Sequence, residues 1–74
     1  MYDIKLLQKN IENYLKLKNM SMALLSSKSG LGQTYIKDIL NGKVTNPGVF
    51  HIAKIADVME ISVDKLIGRS SIDS

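Results

Sequence analysis

The stretch SGLGQTYIKDILNG, residues 29–42, decides the fold of this chain. It places two glycines around one leucine and continues in a polar run with apolar residues at helical spacing. Gly30 is typical of the left-handed residue that ends a helix, and Gly32 is a permissible N-cap for the next one. The stretch therefore predicts a tight turn and then a short helix over residues 33–41, which Gly42 terminates.

The sequence on either side predicts further helices and no strand, because no segment alternates cleanly between apolar and polar residues. Ser21 can cap the helix before the turn by accepting a bond from an amide of its first turn. Asn46 and Pro47 read as N-cap and first helical position of a later helix, and Ser62 with Asp64 opens the last one. The five predicted helices span residues 3–18, 22–29, 33–41, 47–60 and 62–67, which defines an all-α domain.

Composition bounds the class of protein. The chain has 74 residues, enough for one small domain, and 45% of them are hydrophobic, which is typical of a globular protein. We expect that domain over residues 1–68 and a polar tail over residues 69–74. No apolar run approaches the roughly 20 residues that cross a bilayer, so we expect a soluble, cytoplasmic protein without a membrane partner. The net charge of +3 and pI near 9.3 favour a polyanionic partner.

Candidate catalytic and metal-binding groups are sparse. The chain has no cysteine and one histidine, His51, so the sequence predicts neither a metal site nor a cofactor, and His51 reads as a helix surface residue. No serine, histidine and acid set can be assembled. GLGQTY lacks the third glycine and the preceding strand of a phosphate-binding loop. We therefore predict that the protein is not an enzyme.

Two short helices joined by a glycine-bearing turn form a helix-turn-helix unit. Leu31 is expected to fill the angle between them, where Leu25, Ile36 and Ile39 can meet. The second helix is then held by its apolar side. The side chains left on its outer side are those of Gln33, Thr34, Lys37 and Asp38.

The helix-turn-helix stretch and the sequence after it together resemble a known family. SMALLSSKSGLGQTYIKDILNG, followed by NP and then by HIAKIADVMEISVDKLIG, resembles the Cro and phage-repressor type of helix-turn-helix domain, also called the Xre family. The resemblance covers residues 11–68. It implies a five-helix, lambda-repressor-like fold that binds double-stranded DNA as a transcriptional regulator, with the helix at about 33–41 in the major groove.

The resemblance also implies roles for single residues. Gln33, Thr34 and Asp38 match positions that commonly meet bases, and Lys37 lies beside them. The predicted contacts to the DNA backbone come from Tyr35, Asn41, Lys43 and, from the preceding helix, Lys28. Two alternatives stay open: Asp38 can accept from a cytosine amino group or pair with Lys37 or another neighbour, and Tyr35 can bind a phosphate or pack back on the domain.

Nine of the ten basic residues are lysines and only Arg69 is an arginine. Because arginine is the commonest reader of guanine edges, whereas glutamine reads adenine and a threonine methyl packs on thymine, we expect an A·T-rich operator. A repressor of this kind would bind a palindromic site as a homodimer. With so short a chain, either that dimer is weak and forms through the fourth and fifth helices, or the polar tail GRSSIDS is a linker to a further segment.

Several departures from the family pattern favour another interpretation. Met22 replaces a frequent phosphate-binding glutamine, Leu40 replaces a frequent glutamate, and Ser26 replaces alanine. The alternative is a protein-interaction module on the same fold, such as an antitoxin or a partner that modulates a repressor. Met22 would then be a packing residue. The apolar residues assigned to the core are Leu6, Leu7, Leu24, Phe50, Leu66 and Ile67.

Overall fold

The structure, a computed structural model, describes residues 4–68 and contains five helices in this range. They are α1 (Ile4–Leu17), α2 (Met22–Ser29), α3 (Gln33–Asn41), α4 (Val49–Met59) and α5 (Val63–Leu66). No strand occurs in the described part of the chain, so the predicted all-α, five-helix architecture is confirmed. The predicted start of α1 at Asp3 and the predicted tail, residues 69–74, lie outside the described residues.

The two helices of the helix-turn-helix unit match their predicted bounds residue for residue, because their end signals are local. Ser21 accepts the amide N–H of Leu24 through its hydroxyl at 3.0 Å and so caps α2. Gly30 follows α2 with φ of +77°, and Gly42 follows α3 with φ of +86°. Both values lie in the left-handed region, which costs a residue with a side chain about 1–2 kcal/mol.

One core runs through all five helices. α2 packs against α3 and α4, while α5 packs against α4 and α1. Full burial of an aliphatic side chain of this size contributes about 1.5–3 kcal/mol to stability, so this cluster holds the short helices together. Its largest fully buried members are Leu7, Ile11, Leu25, Ile36, Ile39, Ile52, Ile55, Met59 and Leu66.

The predicted start of α4 was wrong by two residues. Its N-cap is Gly48 and its first helical residue is Val49, whereas the Asn-Pro signal predicted Asn46 and Pro47 for these positions. Pro47 is buried and lies with Ile52 in the groove between α4 and α5. The backbone is therefore still extended at Gly48, after the buried Pro47, and the helix begins at Val49.

Three of the six predicted core residues were also wrong. Leu7, Leu66 and Ile67 are buried, but Leu6 is 37% exposed, Leu24 is 43% exposed and Phe50 is 81% exposed. Helical geometry explains the difference. A residue turns by about 100° from its neighbour, so Phe50 lies on the face of α4 opposite the buried Ile52.

Candidate nucleic-acid interface

The turn between α2 and α3 is braced by side chains of α2. Ser26 donates its hydroxyl to the carbonyl oxygen of Leu31 at 2.6 Å. The amide N–H of Leu31 donates to the hydroxyl of buried Ser29 at 3.2 Å, and Ser29 in turn donates to the carbonyl of Ser26. Both backbone polar groups of Leu31 are thus satisfied while its side chain is buried. These bonds fix the angle at which α3 leaves α2.

The outer face of α3 is open. Gln33, Thr34 and Lys37 are exposed, and their side chains make no hydrogen bond or ion pair within residues 4–68. They lie away from Ile36 and Ile39, which fill the core side of the same helix. The first amide groups of a helix have no partner inside it and carry partial positive charge. This end of α3 therefore offers side-chain and backbone donors together.

Asp38 differs from its neighbours because it is half-buried. Its backbone oxygen accepts the amide groups of Lys43 at 2.9 Å and Val44 at 3.1 Å, which closes the C-terminal end of α3. The ion pair that was one alternative for its carboxylate is not formed among residues 4–68, where the ion pair found joins Lys18 to Glu60 at 3.3 Å.

The far end of α3 is held by α1. The side-chain amide of Gln8 donates to the carbonyl oxygen of Ile39 at 2.8 Å. Sequence reasoning missed this contact, because its partners are 31 residues apart and Gln8 lies among other polar residues of an amphipathic helix. Beyond it, Asn41 and Lys43 are exposed on either side of Gly42.

Tyr35 packs back on the domain and also keeps a polar contact. Its half-buried ring meets the ring of His51 on α4 in a T-shaped arrangement, with centroids 4.7 Å apart. Its hydroxyl oxygen lies 2.8 Å from Nδ1 of His51. His51 is exposed, as predicted for a helix surface residue. No local sequence pattern predicts that these two residues, on different helices, pair.

Charge is unevenly distributed around the unit. Residues 13–56 contain six lysines and one acidic residue, Asp38. Lys28, in the last turn of α2, is exposed, as are Lys37 and Lys43. Up to residue 68, the acidic residues that follow lie in α4, its C-cap and α5: Asp57, Glu60 and Asp64. The helix-turn-helix side therefore carries the positive charge that attracts a polyanion.

Comparison with known proteins agrees with this arrangement. Residues 11–66 match the family described as helix-turn-helix. The chain belongs to this helix-turn-helix family, in its Cro and phage-repressor branch. The predicted family resemblance is thereby confirmed, and the match spans the turn, α3 and the groove between α4 and α5.

Relatives in this helix-turn-helix family include the HTH-type transcriptional regulator SinR of Bacillus subtilis, 32% identical over 57 residues, which are 77% of this chain and 51% of the relative. The chain spans about half the length of the curated relatives it matches. The crystal structure of SinR, master regulator for biofilm formation, in complex with DNA superposes with a TM-score of 0.76 at 30% identity, over 81% of this chain and 95% of that one.

A SinR–SinI protein complex also superposes, with a TM-score of 0.78 and 30% identity over 82% of this chain and 59% of that one.

Two further findings concern the described residues alone. None of their helices has the length and apolar character that crossing a membrane requires. No group of three or more histidine, aspartate and glutamate side chains gathers within residues 4–68 in a way that could hold a metal ion.

Proposed function

We propose that the protein is a sequence-specific DNA-binding transcriptional regulator, acting as a repressor. The observation that carries the proposal is the outer face of α3, which presents unpartnered polar side chains on a helix held at both ends by hydrogen bonds. Its relative SinR is described as a transcriptional regulator and has been solved with DNA. A regulator of this kind blocks polymerase from the sites it occupies, and its place is the cytoplasm.

In this proposal α3 lies in the major groove and Gln33 and Thr34 meet base edges first. Lys37 and Asp38 follow one turn later on the same side. Asp38 then accepts from a cytosine amino group, since its carboxylate has no ion-pair partner within residues 4–68. Contacts to the DNA backbone orient the helix without reading sequence. They come from Lys28, Tyr35, Asn41 and Lys43.

The operator we propose is rich in A·T pairs. Glutamine can bond adenine through two hydrogen bonds, and the methyl group of threonine can contact that of thymine. The described surface around α3 offers lysine as its cation, which neutralises phosphate but lacks the planar fork with which arginine reads guanine. Selected sites dominated by G·C pairs would contradict this part of the proposal.

The operator is proposed to be palindromic and bound by a weak homodimer. Two recognition helices must then lie about one DNA turn, roughly 34 Å, apart. Val49 is 63% exposed and Phe50 is 81% exposed at the start of α4. Beside them an apolar groove of about 320 Å³ opens between α4 and α5, lined by Pro47, Val63 and Ile67 among others. Large exposed apolar side chains next to a groove are typical of an interaction surface.

Selection of bound duplexes from a random DNA pool tests this proposal, followed by titration of the winning duplex at two salt concentrations. We expect a palindromic, A·T-rich winner. Each neutralised phosphate releases counterion, so affinity should fall steeply with salt. Lys28→Gln and Lys43→Gln, at two of the proposed backbone contacts, should each reduce the salt slope by about one unit. Lys9→Gln, on α1, serves as the matched charge control and should leave the slope unchanged.

A second candidate function is that of a protein-interaction module, which would bind another protein and catalyse no reaction. The observation that favours it is Met22 at the start of α2, which is half-buried against the core and cannot make the hydrogen bonds of a phosphate-binding glutamine. SinR itself has been solved with a protein, SinI. No enriched duplex, or binding that ignores sequence, would favour this candidate.

A further inference from the structure

The side chains of Tyr35 and His51 form a polar pair at the boundary between α3 and α4. The hydroxyl oxygen of Tyr35 and Nδ1 of His51 are 2.8 Å apart, and the rings pack edge to face. Tyr35 is the third residue of α3 and follows Thr34 directly, whereas His51 is the third residue of α4. The pair therefore joins the proposed recognition helix to the helix that follows it.

The hydrogen atoms of this pair can be counted. One bond joins the two groups, and either the tyrosine O–H or the imidazole Nδ1–H donates it. In the first case the N–H at Nε2 remains available, and in the second the tyrosine O–H remains available. Protonation of the ring leaves both available. Because His51 has no other partner within residues 4–68, the pair always retains at least one donor for a ligand.

We infer that Tyr35 and His51 together bind one phosphate group of the DNA backbone, beside the bases that α3 reads. This inference rests on the proposed DNA-binding function and adds His51 to the contact surface. It also explains the contact of Tyr35 with the domain, since the edge-to-face packing of the two rings holds the donor in place at a small entropic cost.

The chemistry of the pair matches a phosphate better than a base edge. A base edge is read by a matched pattern of donors and acceptors, whereas a phosphate offers only acceptor oxygens. The acidic residue nearest along α3 is Asp38, which lies one turn after Tyr35 and is half-buried, and no acidic residue occurs between Asp38 and Asp57. Lys54 lies one turn after His51 on α4 and is exposed, so it adds positive charge on the same side of the helix.

The test uses the full chain and the duplex selected from the random pool. Tyr35→Phe and His51→Phe each keep an aromatic ring and remove the hydrogen-bonding atoms. Tyr14→Phe, a half-buried tyrosine on α1, is the matched control. Each phosphate of the duplex is then replaced in turn by a neutral methylphosphonate. Circular dichroism melting serves as the control that every variant is folded.

We expect Tyr35→Phe and His51→Phe each to weaken binding about tenfold to a hundredfold, the effect of losing a hydrogen bond to a charged group. The double variant should lose less than the product of the single losses, since each ring orients the other. At one phosphate, methylphosphonate should weaken the wild type more than either single variant, which keeps one of the two donors, and should leave the double variant unaffected. Tyr14→Phe should behave like the wild type throughout.

Three outcomes would overturn the inference, and they are distinguishable. If the wild type enriches no duplex, the proposed function fails and this contact fails with it. If the wild type binds its duplex but both variants match Tyr14→Phe, only this contact fails. If the variants bind weakly but remain as sensitive as the wild type to every methylphosphonate, the pair supports α3 without touching the phosphate.

Discussion

The turn between α2 and α3 and the start of α4 are two helix starts of opposite character. At the turn, hydroxyl groups of Ser26 and Ser29 satisfy the backbone of Leu31, whose side chain is buried. Both α3 and α4 begin after a glycine that provides no side-chain cap, but at the start of α4 Val49 and Phe50 face the solvent. The backbone of the turn is thus hydrogen-bonded by side chains that are close to it in sequence. The start of α4 takes its position from packing and leaves apolar side chains exposed.

The largest expected difference concerns the apolar residues of the two regions. Ile36→Ala should lower the free energy of unfolding by about 2–5 kcal/mol, because it leaves a cavity in the core. Phe50→Ala should change the stability of the monomer by no more than about 0.5 kcal/mol, as expected at an exposed site. Urea unfolding of both variants at low protein concentration checks this contrast. Equal losses would mean that Phe50 packs in the monomer.

The left-handed residue at the turn comes next. Gly30→Ala should cost about 1–2 kcal/mol, since φ of +77° strains any residue with a Cβ. The space around Gly30 is open, with nothing within 4 Å of an added Cβ, so backbone strain alone sets the loss. Gly32→Ala is the matched control, because that site is equally open and its φ is −66°. Thermal melting of the pair should show a loss for Gly30→Ala that Gly32→Ala does not share.

Removal of the serine brace should have a smaller effect. Ser26→Ala takes the donor from the carbonyl oxygen of Leu31 and should cost about 1 kcal/mol. Ser27→Ala, at the exposed neighbouring position on α2, should cost close to nothing. Denaturant unfolding of the two variants checks the difference. A neutral Ser26→Ala would show that the turn holds its angle without the hydroxyl, as in family members with alanine there.

The smallest effect is expected at Asn46, which the sequence wrongly predicts as the N-cap of α4. Asn46→Ala should change stability by less than about 0.5 kcal/mol, because Asn46 is exposed and caps nothing. Ser21→Ala, which removes a real N-cap, should cost about 1 kcal/mol. Matched thermal melts compare the two. A loss at Asn46 equal to that at Ser21 would contradict the observed start of α4 at Val49.

The same contrast explains what the sequence could predict. The bounds of α2 and α3 were exact because Ser21, Gly30 and Gly42 act through bonds to residues within one turn. The start of α4 was wrong because burial of Pro47, a tertiary effect, outweighed the local Asn-Pro signal. On the site, the exposure of Gln33, Thr34 and Lys37 was predictable from helical spacing. The contacts from Gln8 to Ile39 and from Tyr35 to His51 were not, since no local pattern encodes a bond between distant helices.

If α3 reads bases, its first two side chains must matter for one DNA sequence and not for another. The most direct test compares the wild type with the double variant Gln33→Ala/Thr34→Ala. Each protein is titrated with the selected duplex and with an unrelated duplex. We expect this double variant to bind the selected duplex at least tenfold more weakly, since each base contact is worth about 1–3 kcal/mol. Its affinity for the unrelated duplex should not change. An equal change on both duplexes, or no change on either, would contradict a reading role for α3.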